Sequence, residues 1–174
     1  VKRRTLVILA ALTLLLNIAA LSAIGLLVKA ADNTPSAPTL SVEELWKLTN
    51  QNRQEPLLLD EHLDRSAQAK CQDMVTKNYY DHYAPDGMAP STFIQHEIGV
   101  NPNQKIGENL VEVGGVNSHL SDKDIIDSWM GSPKHKENLQ DVAYHKVGFA
   151  ICETRKYPGY LNRDSIVVVQ HLSS

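Results

Sequence analysis

Apolar positions along the chain change period twice, and the changes mark its elements. From Val42, the residues Leu45, Trp46, Leu48 and Thr49 fall on one side of a helix opened by the capping-box pattern Ser41-Val42-Glu43-Glu44, ending near Asn52. Asp60 caps a longer helix whose stripe is Leu63, Ala67, Cys71, Met74 and Val75, and which runs out at Asn78. The turn Ala84-Pro85-Asp86-Gly87 follows, then a short helix from about Ser91 to Ile98 closed by Gly99. Ile106 to Val111 suits either a strand or a helical turn. Ser121 opens a helix with apolar positions Ile125, Ile126, Trp129 and Met130, and Gly131 is expected to end it in a left-handed cap. Ser132 and Pro133 start a further helical turn, which places His135 in its first turn. After Leu139 the period becomes two. Val147 to Cys152 and Ile166 to Leu172 read as strands joined through Tyr157 to Arg163. Several helices followed by an antiparallel pair indicate an α+β domain.

Before this domain the pattern is different. Lys2, Arg3 and Arg4 precede 24 residues, Thr5 to Val28, that carry no charge. A helix of that length spans roughly 36 Å, enough to cross a bilayer, and the preceding cations place its start in the cytoplasm. The expected organisation is a signal anchor over residues 1–30, a linker over 31–40 and a domain over 41–174. The expected location is therefore the cell membrane, single-pass, with the domain outside; cleavage near Val28 or Ala30 would give a secreted protein instead. A composition of 43% hydrophobic and 21% charged residues is ordinary for a folded domain, and a formal net charge of -3 lacks the basic stripe of a nucleic-acid binder.

Candidate chemistry is sparse. The two cysteines, Cys71 and Cys152, fit either a disulfide in an exported domain or two buried thiols. Of the seven histidines none belongs to a His-Glu-x-x-His motif, and there is no Cys-x-x-Cys, Gly-rich phosphate loop or Gly-x-Ser-x-Gly elbow. His82, Glu108 and His135 stand beside turns. Two imidazoles and a carboxylate suit zinc or a similar divalent ion, although spacing alone does not bring them together. Asn109 and Ser132 are candidates to orient such a site, or else a turn residue and an N-cap. His145, before a strand, either supports the site from behind or is a surface residue; His62, His96 and His119 read as solvated. Tyr79, Tyr80 and Tyr83 surround His82 and either line a cleft or cover the core.

The motifs Asn50-x-x-Arg53, His82-x-x-Pro85-Asp86-Gly87, Gly107-Glu108-Asn109, Trp129-Met130-x-Ser132-Pro133-x-His135-x-x-Asn138-Leu139 and Val147-Gly148 together resemble the CAP superfamily, the SCP-like extracellular domain, in its short bacterial form. The resemblance covers about residues 41 to 172. It implies an α-β-α sandwich with a central antiparallel sheet and a surface cleft of two histidines and acidic partners, often able to bind a divalent metal. His82, Glu108 and His135 match three of those positions. Ser132 stands where many eukaryotic relatives have a fourth, acidic residue, which weakens any mechanism needing two acids. The link between Arg53 and Pro56 is short, and Gln170-His171-Leu172 replaces the family's aromatic residue after the Gln. Neither of these last departures is expected to touch the three cleft residues.

Three functions follow as expectations. The leading one is an envelope binding or interaction module, anchored in the membrane, whose cleft takes a divalent metal such as zinc and a cell-wall, protein or lipid ligand. The second is a metal-assisted hydrolase of peptide or cell-wall substrates, with Glu108 as general base and Asp81 or Asp86 as the missing second acid. The third is a lipid or sterol binder.

Overall fold

One strand, β4 (Ser165–Ser173), organises the sheet, because it pairs antiparallel along its whole length with both β2 (Ile106–Gly114) and β3 (Lys146–Thr154). The computed structural model describes residues 40–114, 120–154 and 165–174. The anchor, most of the linker, His119 and the connection Tyr157 to Arg163 lie outside them. All described residues fall in one unit, Pro38–Ser174. No helix among them is long and apolar enough to cross a membrane.

The strand order is β1-β3-β4-β2, where β1 is only Leu58–Leu59 and runs parallel to β3. The sheet is thus mixed, and the expected antiparallel sheet is its three long strands. Ile106 to Val111 belongs to β2, because its backbone completes the ladder with Val168–Ser173. The five helices among the described residues are α1 (Val42–Gln51), α2 (Glu61–Lys77), α3 (Pro90–Ile98), α4 (Asp122–Gly131) and α5 (Pro133–Gln140). Ser41, Asp60 and Ser121 cap α1, α2 and α4 with their side chains, and Asn78 ends α2 in the left-handed region at φ 57°. Gly131 is not left-handed. It is the last residue of α4, and extended Ser132 forms the corner into α5, because Pro133 disfavours a helical residue before it.

Strand alternation divides the core between two faces. Val168, Leu172, Val147 and Phe149 pack with Leu45, Ile125, Ile126, Trp129 and Leu139 of α1, α4 and α5. Val167, Val169, Ala150, Cys152 and Leu110 pack on the other face with Ala67, Cys71 and Met74 of α2. Helices therefore cover both faces, which is the sandwich. Cys71 and Cys152 form a disulfide, with sulfurs 2.06 Å apart, that ties α2 to β3 on this second face. Nearby, a side chain at Gly148 would lie 2.2 Å from the backbone of Leu63 and Asp64, so the absence of one lets α2 lie directly on the sheet.

The motif residues outside the cleft hold backbone together. Asn50 brackets Leu57, accepting from its N–H at 2.8 Å and donating to its carbonyl at 3.1 Å, and the Trp46 indole donates to the same carbonyl. Arg53 donates to the carbonyls of Leu139, Asp141 and Tyr144, which closes the end of α5 against α1.

Candidate functional site

Glu108 of β2 lines a cleft of about 420 Å³, bordered also by His82, Tyr83, Ala89, Pro90, Ser91, Ile94, Ile106, Gly107 and Asn138; neither its buried neighbour Asn109 nor His135 is among the lining residues. Glu108 points to the α2 face and Asn109 to the other, and each is answered by its partner on β4: Glu108 by His171, Asn109 by Gln170. Gly107 precedes them because a side chain there would run into the Tyr144 hydroxyl at 2.5 Å.

On the α2 face, Glu108 is only 7% exposed and both its oxygens are engaged. Nδ1 of His82 lies 2.7 Å from Oε1, and Nε2 of His171 lies 2.9 Å from Oε2. Burial works to raise the Glu108 pKa, but the hydrogen bonds from His171 and His82, with the charges of His171 and Lys70, outweigh it and hold the group below the ordinary range. It is therefore a carboxylate at neutral pH. A carboxylate only accepts, so both imidazoles donate to it, and the neutral form of His82 consistent with that bond carries its proton on Nδ1 and leaves Nε2 bare. Ser66 Oγ lies 2.7 Å from Nδ1 of His171 and 2.9 Å from the Leu63 carbonyl. Its one proton can turn to either, so Nδ1 finds a partner bare or protonated.

His82 is also set by its backbone. The fully buried Lys70 donates to the carbonyls of Asp81 and His82, both at 2.8 Å, and to the Tyr79 hydroxyl at 3.1 Å. Its ammonium lies over the rings of Tyr79 and Phe93, and burial lowers its pKa against the pull of Glu108, Asp73 and Asp81. No apolar period marks this lysine in the sequence. Only its i, i+4 relation to Ser66 on an otherwise core-facing helix side betrays it.

On the opposite face, Asn109 donates to Gln170 Oε1 at 2.8 Å and to the His135 carbonyl at 3.3 Å. Asn138 donates to Asn109 Oδ1 and to the Glu108 carbonyl, and Gln170 donates to Thr49. This network fixes the first turn of α5 and brings the His135 ring to 6.4 Å from that of His82, centre to centre. Burial, and then the neighbouring His82, push the His135 pKa down, so its ring is neutral at neutral pH.

The structure therefore joins His82 directly to Glu108 and places His135 beside them, but it does not assemble the expected three-ligand set. Both Glu108 oxygens are spent on imidazoles, and among the described residues no group of three or more His, Cys, Asp or Glu side chains is arranged to hold a metal. Glu108 backs His82 rather than standing beside it. The same occupancy removes it as a free general base. Neither Asp81, which accepts from the Tyr83 amide, nor the exposed Asp86, paired with Lys77, borders the cleft, so neither supplies a second acid there.

Asn109 supports the cleft from behind, through the contacts just described. The Ser132 hydroxyl makes no cap bond, so its role in α5 is conformational. His145 is exposed and contributes backbone, its N–H to Ser173 and its carbonyl to Leu58, so its ring does not support the cleft. Tyr83 borders the cleft, whereas Tyr79 and Tyr80 pack on the α2-side core. The clearest correction concerns His171, expected to be remote from the cleft residues. Cross-strand pairing puts it directly opposite Glu108, a relation that needs the β2–β4 register.

The model of the CAP family, described as the cysteine-rich secretory protein family, matches residues 42–172. The chain belongs to the CAP family. It is 29% identical over 126 residues to the Bacillus subtilis protein YkwD, a match covering 70% of this chain and 46% of YkwD. Less than half of that relative's length is thus represented. An SCP-domain extracellular protein of Bacillus anthracis shares the fold with a TM-score of 0.55 at 19% identity, over 75% of this chain and 39% of that one. An outer surface protein of Borrelia burgdorferi does so with a TM-score of 0.51 at 20% identity, over 75% of this chain and 87% of that one. A cysteine-rich secretory protein of Staphylococcus aureus gives 0.51 at 16% identity, over 75% and 37%. This CAP domain thus has bacterial relatives whose names place them outside the cell or on its surface.

Proposed function

We propose that this CAP domain is an extracytoplasmic binding module that takes a divalent ion, with zinc as the natural test, between His82, which borders the cleft, and His135, which lies beside it. The membrane anchor of residues 1–30 holds it at the envelope. The observation that carries this reading is the Glu108–His82 hydrogen bond. It fixes the ring and turns Nε2 away from Glu108, as a carboxylate behind a ligating histidine does. His135, neutral and 6.4 Å away, is the second nitrogen donor. Two imidazoles suit zinc and leave coordination positions open, so binding is weaker than in a four-ligand structural site and exchangeable ligands complete the shell. Zinc there would supply a Lewis-acidic centre for a ligand's oxygen or nitrogen donor, while Tyr83, Ile94 and Ile106 offer apolar surface.

The hydrolase reading is less well supported, because among the described residues the cleft is lined by one carboxylate, and both its oxygens already accept hydrogen bonds. Calorimetric zinc titration of the 174-residue chain in detergent, beside the His82→Ala/His135→Ala double variant, tests the proposal. One-to-one binding lost in the folded double variant is the expected result. Absent binding in the wild type, or binding unchanged in the variant, overturns it.

A further inference from the structure

We infer that His171 is a positioning residue for the cleft, setting the orientation of His82 through Glu108, with Ser66 as its anchor. This rests on the reading of His82 as a ligand-binding imidazole, but the hydrogen-bonded chain it invokes is a separate claim.

A glutamate side chain has rotatable bonds that a single hydrogen bond at one oxygen does not fix. Oε1 alone, bonded to a histidine whose side chain is 44% exposed, would leave the carboxylate free to swing with the ring. Oε2 removes that freedom. It accepts from His171 at 2.9 Å, and His171 is itself fully buried on β4, which pairs along its whole length with β2 and β3. The ring of His171 is then held at its far nitrogen by Ser66, 2.7 Å away and also fully buried. Ser66 lies one turn along α2 from the point where the helix backbone rests on Gly148, the cross-strand neighbour of His171. The series Ser66, His171, Glu108, His82 therefore runs from the close α2–sheet contact to the cleft by hydrogen bonds of 2.7, 2.9 and 2.7 Å.

The chemistry at each link is directional. Because Glu108 accepts at both oxygens, His171 must present Nε2–H and His82 must present Nδ1–H. Removing the His171 donor leaves a buried carboxylate oxygen unpaired, and the carboxylate can recover a partner only by rotating away from its present alignment with His82. If His171 served only to fill space, its replacement by a residue of similar volume would have no such effect. A leucine or phenylalanine would fill the volume, but neither could hold Oε2.

The test reads the His82 tautomer by side-chain nitrogen–proton correlation NMR on the 174-residue chain in detergent at about pH 8, above the ordinary histidine range, with His82 assigned by His82→Gln. Zinc titrations run in parallel. Wild type is expected to show His82 as a single Nδ1–H tautomer. In His171→Phe, which keeps a flat ring, both tautomers appear and zinc affinity falls about three- to tenfold. His171→Gln, which retains an N–H donor, restores most of the wild-type signature. Ser66→Ala moves it in the same direction by less, and decides the matter if His171→Phe does not fold. A folded His171→Phe, or failing that Ser66→Ala, with an unchanged His82 tautomer overturns the inference. Absent zinc binding in the wild type refutes the metal reading, and the tautomer still decides this one.

Discussion

Glu108 and Asn109 are neighbours in β2, yet they serve opposite faces of the sheet and different histidines. Glu108 holds the ring of His82, and Asn109 holds the carbonyl of His135. Strand alternation makes this division of work possible: one dipeptide reaches the α2 side and the α5 side at once. His171 and Gln170 repeat the alternation on β4, so each face carries its own polar pair inside an apolar core. Loss of either pair has a different consequence.

Gly148→Ala tests the contact beneath His171. The added carbon would lie 2.2 Å from backbone atoms of α2, which have no rotamer with which to escape. Destabilisation of about 3 kcal/mol or more is expected, read from the urea midpoint.

The disulfide joins residues 81 positions apart. Cys71→Ala/Cys152→Ala is therefore expected to lose about 4 kcal/mol, chiefly through the freed unfolded chain, and reduction should reproduce the loss in a thermal scan.

Acid should weaken the fold through Glu108. Its folded-state pKa is depressed, so its stabilising contribution is complete above the unfolded glutamate range, near about pH 4.3, and disappears as the pH falls through the folded value. Glu108→Gln removes this contribution. Urea unfolding at about pH 7 and about pH 3, on either side of that range, should show a larger acid-induced fall for wild type than for the variant.

Lys70→Met removes the donor that pins the Asp81 and His82 carbonyls. Amide hydrogen exchange in residues 81–83 is expected to accelerate about tenfold, with a smaller change in α4, which does not depend on it.

Much of this architecture is legible in the residues. The caps at Ser41, Asp60 and Ser121 and the stripes at Leu63–Val75 and Ile125–Met130 place their helices within a residue or two, because they are local signals. His82, Glu108 and His135 are likewise recognisable from their motifs. What escapes is non-local. The two-residue β1 is too short to carry a period, and its parallel partner lies far along the chain, Leu58 pairing with Lys146. His171 becomes a neighbour of Glu108 only once register is fixed, and the engagement of both Glu108 oxygens by imidazoles emerges only with it. Buried Lys70 runs against the rule that lysines face water; three acceptors that only the folded loop assembles make its burial tolerable.

Anomalous diffraction at the zinc edge, from crystals of the chain grown with zinc, tests the central claim most directly. One peak bridging Nε2 of His82 and the His135 ring is expected, with Glu108 still bonded to both His82 and His171. A peak coordinated by Glu108 itself, or zinc bound only elsewhere on the surface, would contradict it.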